Sequence, residues 1–245
     1  LFYQKIRGSQ KLSLLFVPPL GGGMEINMYK PARKIVNTRS KKNIGYFPSK
    51  KNERLVAFES LIERDYIFLL EYDRDVICYK EQPLEIAYRD INRLRKCYPD
   101  FEVQRKDRKQ LVEVKPHAKL VKILHDEITI NKFNAVALYC DANGYSDFKI
   151  VTEKDIRTGN SFKNICLLFS YSNIIVPKDM KSAILNVLLS SDQDQTINQL
   201  LSKVCAKENN PTIYAYILNM LYYQEISTNL EVPITRNSLI YLNNQ

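Results

Sequence analysis

The stretch CYPDFEV-QRKDRKQ-LVEVKP, residues 97–116, constrains this chain most, because two short β-prone runs separated by a polar turn are expected to form a hairpin. Residues two apart in a strand face the same side, so Glu113 and Lys115 point together. Asp100, at the start of the neighbouring strand, can reach the same spot. Carboxylate oxygens are what a hard cation such as Mg2+ requires, and a nearby lysine suits a phosphate.

The elements on either side imply a layered core. From Glu53 to Tyr72 the chain has no Gly or Pro, and Phe58, Leu61, Ile62, Tyr66, Phe68, Leu69, Leu70 and Tyr72 fall on one arc at helical spacing, which predicts an amphipathic helix. Glu59 and Glu63 project onto the edge of that arc, while Arg64 and Glu71 lie on its charged back. A carboxylate at an apolar border is costly unless something positive pairs with it, although a glutamate that snorkels to water fits the same position. VICYKEQPLEIAY, broken by Pro83, reads as an edge strand or two short strands, and RDINRLRK as a polar turn. His125 to Leu138 reads as a helix, FKIVT as a strand and EKDIR as a turn. Helix, strands, helix, strand describes an α/β core with a mixed sheet.

Beyond Thr158-Gly159-Asn160-Ser161 the pattern turns helical. Pro177 opens a helix through Leu189, Thr196 caps one from Ile197 to Val204, and Pro211 starts a third running to Tyr223. With the β-prone EISTNLE and SLIYL, this describes a winged helix. The expected divisions are residues 1–44 as a basic arm, 45–157 as the α/β core and 158–245 as the winged-helix domain; residues 1–23, ahead of Met24, read as an upstream extension.

Charge points to an anionic partner. Residues 1–50 hold ten Lys/Arg against one acid, Glu25, whereas the remaining residues hold 26 of each sign, within a formal net charge of +9. A cationic arm on a neutral body suits nucleic acid, or is simply a solvated tail. The five cysteines are dispersed and the only histidines are His117 and His125, so neither a zinc site nor a disulfide framework is expected. No apolar run is long enough to span a bilayer, and a soluble, cytoplasmic protein is expected.

The set Glu63, Asp100, Glu113 and Lys115 suits a metal-dependent phosphodiester hydrolase, although Glu-x-Lys alone is also the ion pair of many solvated strand faces. Mg2+, with Mn2+ as a substitute, would sit among Glu63, Asp100 and Glu113; water would attack phosphorus in line, and Lys115 would orient it and meet the developing charge. Glu59 reads as a supporting carboxylate or as a neighbour that repels Glu63. Gln82 reads as a polarising group or a structural amide, and His117 as a surface residue more readily than a phosphate contact. Tyr214, Tyr216, Tyr222 and Tyr223 read as a core stripe more readily than a contact surface.

The runs AFESLIERDYIFLLEYDRDVICYKEQPLEI, YPDFEV, LVEVKP and IVTEKDI resemble TnsA, the endonuclease subunit of heteromeric cut-and-paste transposons, over most of Gly45–Ile156. The resemblance implies a restriction-endonuclease-like core in which Glu63, Asp100, Glu113 and Lys115 form the Mg2+ site, with Glu113 standing where some relatives carry Gln. It further implies cutting of the 5′ strands at transposon ends beside a DDE transposase subunit, TnsB, and an AAA+ regulator, TnsC, in a bacterial cytoplasm at the nucleoid. The alternatives are a stand-alone restriction or repair endonuclease of the same fold, and a non-catalytic DNA-binding regulator. The third C-terminal helix carries almost no base-reading side chains, which weighs against DNA reading by that domain.

Overall fold

The computed structural model describes residues 29–33, 43–90, 93–123, 126–191, 193–204 and 211–243. Most of the basic arm, with the extension before Met24, lies outside them, as does Cys205. The chain divides into two compact units between Asp155 and Ile156.

The first unit opens with an antiparallel hairpin, β1 (Gly45–Ser49) and β2 (Arg54–Phe58), in which Gly45 lies opposite Phe58. A Cβ at Gly45 would come within 2.4 Å of the Phe58 ring, so only glycine lets the ring close over the strand. The helix expected from Glu53 is therefore a strand in its first third. Leu55 to Phe58 is too short an apolar run to separate the two periods, and pairing with β1 decides for β. Helix α1 begins at Leu61 and runs to Tyr72, because the Ser60 hydroxyl caps it by accepting from the Glu63 N–H.

The central sheet has four strands in the order β3 (Val76–Glu81), β6 (Phe101–Arg105), β7 (Lys109–Val114), β8 (Asp147–Val151). β3 with β6 and β6 with β7 pair antiparallel, and β8 runs parallel to β7, so the sheet is mixed. Such a mixed α/β unit is compatible with a restriction-endonuclease-like fold. β4 (Ile86–Asp90) and β5 (Arg93–Cys97) form a separate hairpin. RDINRLRK is thus largely strand, because ladder pairing outweighs the polarity of its side chains. Short α2 (His117–Ile123), not expected, and long α3 (Glu127–Ala142) cross over from β7 to β8. EKDIR, expected as a turn, forms the single-turn helix α4 (Glu153–Ile156).

β7 is buried along nearly its whole length, and its two faces meet different partners. Leu111 packs with Phe133, Val136 and Phe148 under α3. Val112 lies opposite Phe101, whose ring meets Tyr66 of α1 at 5.7 Å. Alternation then puts Glu113 on the α3 side with Leu111.

In the second unit, α5 (Ser161–Phe169), α6 (Lys178–Leu189), α7 (Ile197–Val204) and α8 (Pro211–Tyr222) pack around Leu168, Ile184, Leu200 and Ile217. Among the described residues there are four helices where three were expected. β9 (Gln195–Thr196), β10 (Ile226–Ser227) and β11 (Leu239–Leu242) form a small sheet in the order β10-β11-β9. Buried Asn164 fastens the loop before β11, donating to the carbonyls of Leu230 and Val232 at 2.8 and 2.7 Å and accepting from the Ile234 N–H. Tyr222 is buried against Phe169, Tyr214 and Tyr216 are half-buried, and the Tyr223 hydroxyl donates to the Ser172 carbonyl. Of these tyrosines only Tyr222 is therefore core, while Tyr214 and Tyr216 are half-buried and Tyr223, just past α8, is exposed.

Candidate active site

The end of β7 carries the chemistry. Glu113 and Lys115 project together there, their side chains 2.7 Å apart between Oε1 and Nζ. Asp100 enters from the residue before β6; its Oδ2 accepts from the Val114 N–H at 2.8 Å and lies 3.7 Å from the Lys115 ammonium. The backbone fixes these positions on both sides. The Gln82 N–H donates to the Asp100 carbonyl at 2.9 Å, and the Lys115 N–H to the Val151 carbonyl at 2.9 Å. Gln82 sits at the bend with φ +46° and a buried side chain whose Oε1 has no hydrogen-bond partner.

Burial makes the cluster electrostatically tense. Desolvation, then the charge of Glu113, pushes the Asp100 carboxyl up to about 8. Burial opposes the Lys115 ammonium, but Asp100, Glu113 and Glu63 outweigh it and raise its pKa above the ordinary lysine value. Glu113 is fully buried, and its second oxygen, Oε2, has no hydrogen-bond partner. A buried carboxylate oxygen left bare is expensive unless a cation or donor arrives to meet it. Asp100 and Glu113 therefore fit a hard divalent cation.

Glu63 lines the same cavity, of about 810 Å³, as Asp100, Glu113 and Lys115. Its two oxygens are held at the start of α1: Oε2 accepts from the Glu59 N–H at 2.7 Å and Oε1 from the Ser60 hydroxyl at 2.9 Å. Burial first, then the charge of Glu59, raises its pKa against the lowering by those bonds and Lys115. Among the described residues no three Asp, Glu, His or Cys side chains gather into a ready metal cluster. The convergent set is Asp100, Glu113 and Lys115, with Glu63 beside it on its own tether. Glu59 pairs with Arg33 at 2.5 Å, so a cation does intervene beside this pair of glutamates. His117 donates its backbone N–H to Glu153 and is not among the cavity residues.

The main omission of the sequence reading is Lys132 of α3, whose ammonium reaches Glu113 Oε1 at 2.5 Å. One signal was available: Ile128 and Val136, four residues either side, put Lys132 on an apolar helix face. Lys96, Lys119 and Lys122 also line the cavity, giving a cationic wall around an acidic floor. Cys97 lies there too, but burial pushes its thiol up to about 12, so it is not a nucleophile at neutral pH. The described cysteines are all free thiols.

No helix among the described residues is long and apolar enough to cross a membrane. No curated protein matches this chain. Residues 73–153 match the family model described as TnsA-like endonuclease N terminal. The match takes in β3 to β8, with Asp100, Glu113, Lys115 and Lys132, and stops short of Glu63.

Proposed function

From the premise that residues 73–153 are a TnsA-like endonuclease segment, we propose that this chain is the DNA endonuclease subunit of a cut-and-paste transposase. It hydrolyses the 5′ strands at transposon ends with Mg2+, or Mn2+ in its place, beside a DDE transposase subunit of the TnsB kind and under an AAA+ regulator of the TnsC kind. The observation that carries this reading is the pairing of Asp100 with a buried, half-satisfied Glu113 against Lys115 in a lysine-walled cavity.

Asp100 and Glu113 would hold the cation, with Glu63 joining them from α1. When bound, such an ion supplies a water ionised near neutral pH and takes up charge on the phosphate. Lys115 holds its proton throughout the physiological range and presents a fixed positive charge to the reacting phosphate. Lys119 and Lys122, both exposed, attract the DNA backbone toward the cavity. The second unit, in which α6, α7 and α8 lead into a small sheet, is read as a winged-helix domain that faces protein, since α8 carries almost no base-reading side chains.

The test is reconstitution on transposon-end DNA. The chain alone should cut weakly, addition of the cognate transposase should switch on 5′-strand cleavage, and Asp100→Ala should abolish it in a folded protein. Efficient double-strand cutting by the lone protein would favour the stand-alone endonuclease, and wild-type cleavage by Asp100→Ala would sink the site assignment.

A further inference from the structure

Glu113 Oε1 accepts from two ammonium groups at once, Lys115 at 2.7 Å and Lys132 at 2.5 Å, while Oε2 of the same buried carboxylate accepts from none. Two like charges on one oxygen repel each other, so each is held less firmly than it would be alone, and a further cation entering the site would release one of them. Lys115 is poorly placed to leave: it sits two residues along the same chain, its backbone is tied to Val151, and it also faces Asp100. Lys132 comes from another element on a long flexible stem, and its side chain is 23% exposed on the wall of the cavity.

We propose that Lys132 is a displaceable counter-ion: it neutralises Glu113 while no divalent cation is present and turns its ammonium to the DNA phosphate when one enters. This rests on the nuclease reading above. Asp100, Glu113 and Glu63, the three carboxylates that would hold the ion, against Lys115 and Lys132 make three formal negatives and two positives. A divalent cation added to that set without any movement would leave an excess of one positive charge in a buried site. Departure of Lys132 relieves that excess and places a positive group where the substrate's negative charge arrives.

The experiment is Mn2+ binding to the full-length chain, followed by the paramagnetic resonance of free Mn2+. Lys132→Met should bind Mn2+ at least about tenfold more tightly than wild type, because the competing charge is gone. The same variant should hold a short DNA duplex about fivefold more weakly in Ca2+, the loss of roughly one phosphate contact. Lys132→Arg should keep wild-type Mn2+ affinity. A Lys132 that only braced Glu113 would give the opposite sign, weaker Mn2+ binding in Lys132→Met, and that result or an unchanged affinity overturns the proposal. Should the Met variant fail to fold, amine acylation of wild type read by mass spectrometry decides. Mn2+ should raise the labelling rate of Lys132 relative to exposed Lys122, and an unchanged or lower rate overturns the proposal. Wild type that binds no Mn2+ overturns this inference and the nuclease reading together; wild type that binds it, with Lys132→Met unchanged, overturns this inference alone.

Discussion

Glu71 and Glu113 are both buried carboxylates of the first unit, and their surroundings are opposite. Glu71, near the end of α1, accepts from the Ser49 hydroxyl and the Tyr79 hydroxyl at 2.6 Å each and from the Lys50 N–H at 3.0 Å, so both oxygens are satisfied by neutral donors of the chain. Glu113 has two cations on one oxygen and nothing on the other. Glu81 belongs with Glu71: Arg54 holds it through two nitrogens, at 2.7 and 2.6 Å. The contrast separates an acid that completes a structure from one that awaits a ligand. Burial alone does not distinguish them; the accounting of each oxygen does.

Alanine at each position breaks the comparison most sharply. Glu113→Ala should lower cleavage by at least ~10³-fold while costing about 1 kcal/mol or less of stability. Glu71→Ala should do the reverse, stranding the buried Ser49 and Tyr79 hydroxyls and the Lys50 N–H at a cost of about 3 kcal/mol, which lowers Tm by roughly 8 °C and leaves cleavage per folded molecule intact. Thermal melts and cleavage rates on the same preparations check both, and equal stability losses would end the distinction.

A smaller effect follows from Asp100. Its folded pKa of about 8 lies above the unfolded value of about 3.9. The stability it contributes is therefore complete below about pH 3.9 and lost as pH climbs through about 8. Without divalent cation, Asp100→Asn should gain on wild type across that window, ending about 1 kcal/mol or more ahead at pH 8, since the amide removes the like charge beside Glu113. Stabilisation of wild type by Mg2+ should grow over the same range, because Asp100 must release its proton to bind. Melts of both proteins from pH 4 to 8 measure this, and parallel curves would show that Asp100 is ionised throughout.

The smallest effect concerns the tether of Glu63. Ser60→Ala removes the α1 cap and one of the two bonds holding Glu63, at a cost of about 1 kcal/mol by denaturant titration. Cleavage should change by less than about tenfold. Loss as deep as that of Glu113→Ala would place Glu63 with the half-satisfied carboxylates instead.

What was legible in the sequence depended on range. Asp100, Glu113 and Lys115 could be read because a hairpin and the two-residue period of a strand bring them together locally. Glu71 was misread as exposed because helical periodicity locates one apolar face, whereas α1 packs against β1, β2, β3 and β7. Strand β5 hid behind its basic composition, with only Cys97 fully buried. The apolar helix face under Lys132 was legible from Ile128 and Val136, but its meeting with Glu113 depended on the crossover that lays α3 over β7, a long-range event. Ser60 and Glu63, by contrast, spell the Ser-x-x-Glu capping signal and could have placed the start of α1.

The parallel partnership of β7 with β8 carries a consequence for how the protein is made. A parallel partner arrives only after a crossover, so β7 emerges from synthesis with one edge unpaired. That edge waits until Val151 has been added, roughly 2–7 s at ~5–20 residues per second. During that interval the LVEV stretch is an open template for a second nascent chain. Expression should therefore be most prone to aggregation in variants that delay α3, and slowed translation through residues 115–151 should lower the yield of soluble protein without changing the stability of what folds.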